Sequence, residues 1–225
     1  MTRRGRPPRG MGGLSRAAIV EATLRVLDAE GAAAVGMRSV ARVLGVDPKS
    51  LYNHVADKDD LLDAVAEHLL AGLVPPERTG DPGHDLRAIA DSFRERALRH
   101  PGAASLVLTR QLGSLEGLAP VDAVLTVLLD AGAPADEAVH LLRMLLATLI
   151  GTLLREVSAA PAFGDPDGSR RSVLAESGLP AVASLAPQLA RFDRRAEFDY
   201  SVALAVKAVL DRIAAVAHRF GSTSS

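Results

Sequence analysis

The sequence predicts an all-α protein in which a small three-helix head precedes a larger helical domain. Apolar residues recur at three- and four-residue steps along most of the chain, and no segment alternates with period two long enough to make a strand. Hydrophobic residues make up 48% while aromatics reach only 3% with no Trp, so the core is built from Ala, Leu and Val, residues suited to helix packing. A chain of 225 residues exceeds the ~100 to 150 residues of a typical single domain, which favours one small module followed by a larger one.

The elements follow in order. Ile19, Ala22, Thr23, Val26 and Leu27 form one face of a first helix over 14–30, with Ser15 placed to cap its first N–H groups and Gly31 to end it. A second helix, 38–44, closes on Gly45. Asp47 caps a third, with Pro48 at the first position where the missing N–H is harmless, running to about residue 55. Asp57 opens a fourth over 58–73, whose Leu61, Leu62, Val65, Leu69 and Leu73 make one stripe, and Val74-Pro75-Pro76 stops it. After a connection at 75–83, helices are expected at about 85–100, 103–112, 121–131, 135–159 and 194–220. The polar, turn-forming stretch 161–177 reads as a mobile loop, and a short helix over 179–189 carries Pro180 and Pro187. This divides the chain into a disordered basic arm at 1–13, a head at 14–60, a larger domain at 61–220 and a disordered tail at 221–225.

Several classes of function are disfavoured. With no Cys there is no disulfide framework, in keeping with a reducing cytoplasm. The apolar run 141–154 contains Arg143 and is shorter than the ~20 residues that span a bilayer, and the arginine-rich start is not followed by a signal core, so neither membrane nor secretion is expected. No G-x-S-x-G, P-loop or H-E-x-x-H string marks an enzyme, so no catalytic residue and no cofactor is assigned. Asp165-Pro166-Asp167-Gly168 opens like a calcium loop but lacks the acceptors downstream. The paired carboxylates Asp59-Asp60 and Asp136-Glu137 sit at helix starts, where they complement the helix dipole.

Charge is unevenly spread. Residues 1–56 hold nine Lys and Arg against four Asp and Glu, and the remainder seventeen against twenty-three, so the head is the polyanion-binding end. Within it, Ala41 and Gly45 supply the small side chain and the tight turn that two closely crossing helices require, and Val40, Leu44, Val46 and Leu51 pack the pair on the first helix. Lys49, Ser50, Tyr52, Asn53 and His54 remain as an exposed polar face, the pattern of a helix-turn-helix that reads double-stranded DNA.

Residues 37–46, together with Leu51-Tyr52-Asn53-His54-Val55, Asp57-Lys58 and Leu61-Leu62, resemble the TetR family of transcriptional regulators and its "LYxHFxxKxxLL" string. Residues 85–101 resemble the C-terminal domain of its tetracycline-repressor branch. The resemblance implies a one-component, ligand-responsive repressor, with an activator or a ligand-independent regulator carrying the same head as the alternative. It also implies that Tyr52, His54 and Lys58 hold phosphates, that Lys49, Ser50 and Asn53 face base edges, and that Arg38 approaches bases from the second helix. Arg3, Arg4, Arg6 and Arg9 suit an arm lying in the minor groove.

For the larger domain the resemblance implies an unknown small-molecule effector and a homodimer formed by the last long helices. Leu69, Leu73, Phe93, Leu106, Leu112, Leu145 and Leu149 are candidates to line the effector site, ordinary core being the competing reading of each. Val139, Leu142, Leu146, Leu149, Ile150 and Leu153 on one long helix and Val202, Val206, Val209, Leu210 and Ile213 on the other serve either a dimer bundle or an intrachain core. Leu106 stands where tetracycline repressors carry a metal-binding histidine, and His68 and His100 lack carboxylate partners at ligand spacing, so no metal site is assigned.

Overall fold

Side-chain caps decide where the helices of the head begin. The computed structural model describes residues 14–104, 118–157 and 169–221. Helix α1 (Arg16–Glu30) opens with the Ser15 hydroxyl accepting the Ala18 N–H at 3.2 Å, and it buries Ile19, Leu24, Val26 and Leu27. After a single 3-10 turn (Ala32–Ala34), α2 (Met37–Leu44) ends on Gly45, whose φ of 68° is the left-handed conformation that costs glycine little. Asp47 accepts the Lys49 N–H at 2.8 Å to start α3 (Pro48–Leu51), and Asp57 accepts the Asp60 N–H at 2.9 Å to start α4 (Lys58–Ala71). Val40, Leu51, Val55, Leu61 and Val65 close one core around α1. Leu69 on α4 belongs to that same core.

The third helix is shorter than the sequence implied. It stops at Leu51, and 52–54 continue as turns in which Leu51 O accepts from both His54 N–H, at 2.9 Å, and Val55 N–H, at 3.1 Å. That geometry lets Leu51 and Val55 both reach the core while Tyr52 and Asn53 stay exposed.

The second core is layered around α5 (Pro82–Arg99), which starts earlier than expected because Asp81 caps it through the His84 N–H at 2.8 Å. Against it pack α6 (Ala119–Asp130), α7 (Ala135–Val157) and α11 (Arg194–Gly221). Leu86, Leu128, Leu142, Leu153, Phe198 and Val209 fill the space between them. Phe198 is fully buried with the guanidinium carbons of Arg94, Arg87 and Arg195 at 5.3, 5.8 and 5.8 Å from its ring centre. Arg94 is paired through both arms with the buried Glu156 of α7. The competing reading of the two long stripes therefore holds in large part: Leu142, Leu153, Val202, Val206, Val209 and Ile213 are intrachain core.

Helix α7 is, among the described residues, the one helix long and apolar enough to cross a membrane. Its Glu156 pairs with Arg94 on α5 and its Glu137 pairs with Arg212 on α11 at 2.8 Å, which ties both ends of the helix to the neighbouring helices. The expected loop at 161–177 is helical in its second half, where α8 (Ser169–Ala175) forms because the turn-forming Gly and Pro residues end at Gly168. Beyond it, Pro180 and Pro187 sit in the first turns of two short helices, α9 (Pro180–Ser184) and α10 (Ala186–Leu189), so each begins a helix rather than breaking one. The basic arm, residues 222–225 of the tail, and most of the helix expected at 103–112 lie outside the described residues, of which 101–104 are helical.

The connection between the halves is tied down. Arg78 pairs with Asp130 of α6 at 2.6 Å, and Asp85 accepts the Thr79 N–H at 2.9 Å and the Thr79 hydroxyl at 2.7 Å. Further on, His100 Nδ1 lies 2.8 Å from Asp28 of α1, and Arg96 Nε donates to Leu69 O of α4 at 3.1 Å. At Gly102 a Cβ would lie 2.2 Å from the Leu27 carbonyl oxygen of α1, and the next residue, Ala103, is fully buried in the head's core.

Candidate nucleic-acid interface and regulatory cavities

The residues singled out by the sequence in the head are exposed or half-buried along α2, α3, the turns that follow it and the start of α4. Lys49 is exposed on α3 with Ser50 half-buried beside it, Tyr52 is 56% exposed, Asn53 is exposed and His54 is half-buried in the turns that follow. Lys58 is exposed at the start of α4 and Arg38 on α2. Together these residues offer cations, an amide, a phenol and an imidazole at the surface, the groups that bond phosphates and base edges.

Two residues of this region have no local sequence signal. Arg16 pairs with Asp60 at 2.7 Å and donates to the His54 carbonyl at 2.9 Å, tying α1 to the turns from the side. The bond from Arg16, then that from the Ala56 N–H, holds the Asp60 carboxyl below the usual carboxylate range, and the same pairing raises the Arg16 guanidinium. Arg42, also exposed, is engaged with Glu30 at 3.0 Å.

The sequence-predicted lining residues fall into two cavities. Leu69, Leu73 and Phe93 line one of about 20 Å³ at the junction of α4 and α5, bounded also by Arg96, His100 and Ala104. Leu145 and Leu149 line another of about 50 Å³ between α5, α6, α7 and α11, together with Ile89, Ala90, Leu142 and Val206, and among the described residues Thr148 is the single polar side chain on its wall. Leu106 and Leu112 lie outside the described residues. An open cleft bounded by Arg94, Glu95, Arg99 and Arg195 carries charges on its walls, but these already serve each other or neighbours, as in Arg99 with Glu95 at 2.6 Å and Arg195 with Asp199 at 2.8 Å.

His68 and His100 do not converge on a common point: His68 meets Glu21 at 3.3 Å and His100 meets Asp28. Among the described residues no three His, Cys, Asp or Glu gather in a cluster able to hold a metal ion. Both histidines instead join α1 to the helices behind it.

Two family models match the chain: the bacterial regulatory proteins of the tetR family over residues 19–65, and the tetracyclin repressor-like C-terminal domain over residues 74–213. An HTH-type transcriptional regulator from Saccharopolyspora erythraea is 31% identical over 198 residues, covering 82% of each chain. The class A tetracycline repressor protein of Escherichia coli, from transposon 1721, is 29% identical over 200 residues, covering 86% of this chain and 89% of the relative. Among solved structures, a possible TetR family transcriptional regulator from Streptomyces coelicolor superposes with a TM-score of 0.75 at 27% identity, covering 90% of this chain and all of the other. The Streptomyces coelicolor protein ActR in complex with (S)-DNPA shares the fold with a TM-score of 0.77 at 23% identity, covering 90% of this chain and 100% of its own. The exposed polar face on a helix-turn-helix and the two family matches that follow one another along the chain lead to one conclusion: this protein is a DNA-binding transcriptional regulator and belongs to the TetR family.

Proposed function

We propose that the protein is a cytoplasmic repressor that binds a palindromic operator as a homodimer and leaves it when a small molecule enters the regulatory domain. The observation that carries this reading is the seam between the halves. The cavity lined by Leu69, Leu73 and Phe93 is walled by Arg96 and His100, the two side chains that bond to α4 and α1. An effector that favours a different spacing of α4 and α5 would shift the head through these bonds, which is the differential affinity that release requires. The apolar space between α5 and α7, about 50 Å³ as it stands, would widen to take the body of the effector.

Arg38, Lys49, Ser50, Tyr52, Asn53, His54 and Lys58 make the DNA contacts in this reading, Tyr52, His54 and Lys58 on phosphates and the others toward bases. The head extends through α4, and the regulatory domain begins at Asp81. Dimerisation uses the outward faces of α7 and α11, where Val139, Tyr200 and Leu204 are exposed beside the small Ala147 and Gly151. Electrophoretic shift of the DNA flanking the protein's own gene, with and without a compound library, tests the proposal. A specific shift abolished by a compound supports it. A shift that needs the compound assigns activation instead, and the absence of any specific shift overturns it.

A further inference from the structure

The turns that carry Tyr52, Asn53 and His54 are gripped by an ion pair that reaches them from two other helices. Arg16, in the first turn of α1, donates through Nη1 to the carbonyl of His54 at 2.9 Å. Its Nη2 meets Asp60 Oδ1 at 2.7 Å, and Nη1 lies 3.4 Å from Asp60 Oδ2. Asp60, in the first turn of α4, accepts the Ala56 N–H on Oδ2 at 2.7 Å, while its own N–H is bound by the Asp57 carboxylate. One guanidinium and one carboxylate therefore satisfy a carbonyl at residue 54 and an N–H at residue 56, the two ends of a short stretch that belongs to no helix.

The pair is part-exposed, Arg16 at 46% and Asp60 at 32%, so it adds little to global stability. Its effect is geometric. Among the sides of this stretch, Leu51 and Val55 anchor it from below and the Arg16–Asp60 pair from the flank, leaving Tyr52 and Asn53 free to meet a partner. A forked guanidinium can hold a carbonyl and a carboxylate at once in a fixed orientation, which a lysine ammonium does less rigidly.

We propose that Arg16 and Asp60 are positioning residues for operator recognition, a staple that sets the height and angle of the Tyr52–His54 turns against the DNA backbone. The role rests on the assignment of those turns to the DNA surface. Its sign separates it from simple electrostatics. Asp60 is an anion beside a surface that meets a polyanion, so Coulomb repulsion alone makes its neutralisation strengthen binding. The staple makes the same change weaken binding.

The test is fluorescence anisotropy of the full-length protein with its own upstream DNA and with an unrelated duplex, at several salt concentrations. Asp60→Asn is expected to weaken specific binding by about tenfold, the scale of a lost charge-assisted bond, with the thermal midpoint little changed. The slope of log affinity against log salt should stay as in the wild type, because no phosphate contact is removed, and Asp60→Glu should recover part of the loss. Arg16→Lys keeps the charge but not the fork, is expected to weaken specific binding as well, and serves as the readout should Asp60→Asn not fold. Asp60→Asn binding as tightly as the wild type, or more tightly, overturns the staple alone, as does an unchanged affinity in Arg16→Lys. A wild-type protein with no preference for its upstream DNA overturns the DNA surface and the staple together.

Discussion

At Gly102 the regulatory half touches the head so closely that a single methyl group has no room, the Leu27 carbonyl standing 2.2 Å from where a Cβ would be. Gly102→Ala should push α1 and the helical residues 101–104 apart at a cost of about 1–3 kcal/mol, read as a lower urea midpoint with an unchanged slope. Lys58→Ala should weaken binding to every duplex alike and reduce the salt dependence by about one counterion, whereas Asn53→Ala should relax preference at one base pair by about 1–3 kcal/mol. Salt titrations on operator and unrelated DNA check both. Residues of this kind were legible in the sequence because local rules mark them: Gly45 in a left-handed cap, Leu51 at core spacing, Tyr52 and Asn53 as polar positions on a helical pattern. Arg16 and Asp60 were not legible, since their bond spans 44 positions and neither residue type announces the other. The Asp59-Asp60 pair was read as dipole complement, and for Asp60 the structure adds a partner that no spacing rule supplies.

Helices were recovered where an apolar face and a cap coincide, and misjudged where only one was present. Helix α4 has both a capping Asp57 and a leucine stripe. The third helix has a cap and a single buried anchor, Leu51, so its end depended on how the chain turns toward Val55. Helix α8 buries none of its residues, which left no apolar periodicity to see. The connection into α5 is held by Asp85 in the first turn of that helix, whose carboxyl is held below the usual carboxylate range first by the Thr79 N–H and hydroxyl, then by the Gly80 N–H and the charge of Arg78. A lowered folded value means that the stabilisation is present at neutral pH and lost as pH falls through that value. Urea midpoints should therefore stay flat down to about pH 5 and drop below it as far as this group contributes, and Asp85→Asn should lower the plateau and shallow the acid limb.

For the molecule as a whole, charge and motif set the basic start of the chain apart from its helical remainder, and the buried residues form two separate clusters, but the cavities were not visible in the sequence. Each is bounded by side chains from several helices, so Leu73 and Leu145, both plain apolar positions in sequence, turn out to line different spaces. Ala90→Phe, which fills the larger cavity from α5, should abolish response to an effector while sparing operator binding, checked by the shift assay with and without the compound. Leu204→Asp, at a side chain 51% exposed on α11, should yield monomers in sedimentation and reduce operator affinity by at least about a hundredfold as paired half-sites are lost. The contact around Gly102 and Ala103 bears on how the protein comes apart. Because Ala103, contributed from beyond α5, completes the hydrophobic interior of the head, an excised fragment ending at Ala71 would carry a hole there, and neither half can melt without injuring the other. Calorimetry of the intact chain should accordingly show one merged transition, and the reader of DNA would share its denaturation temperature with the sensor that governs it.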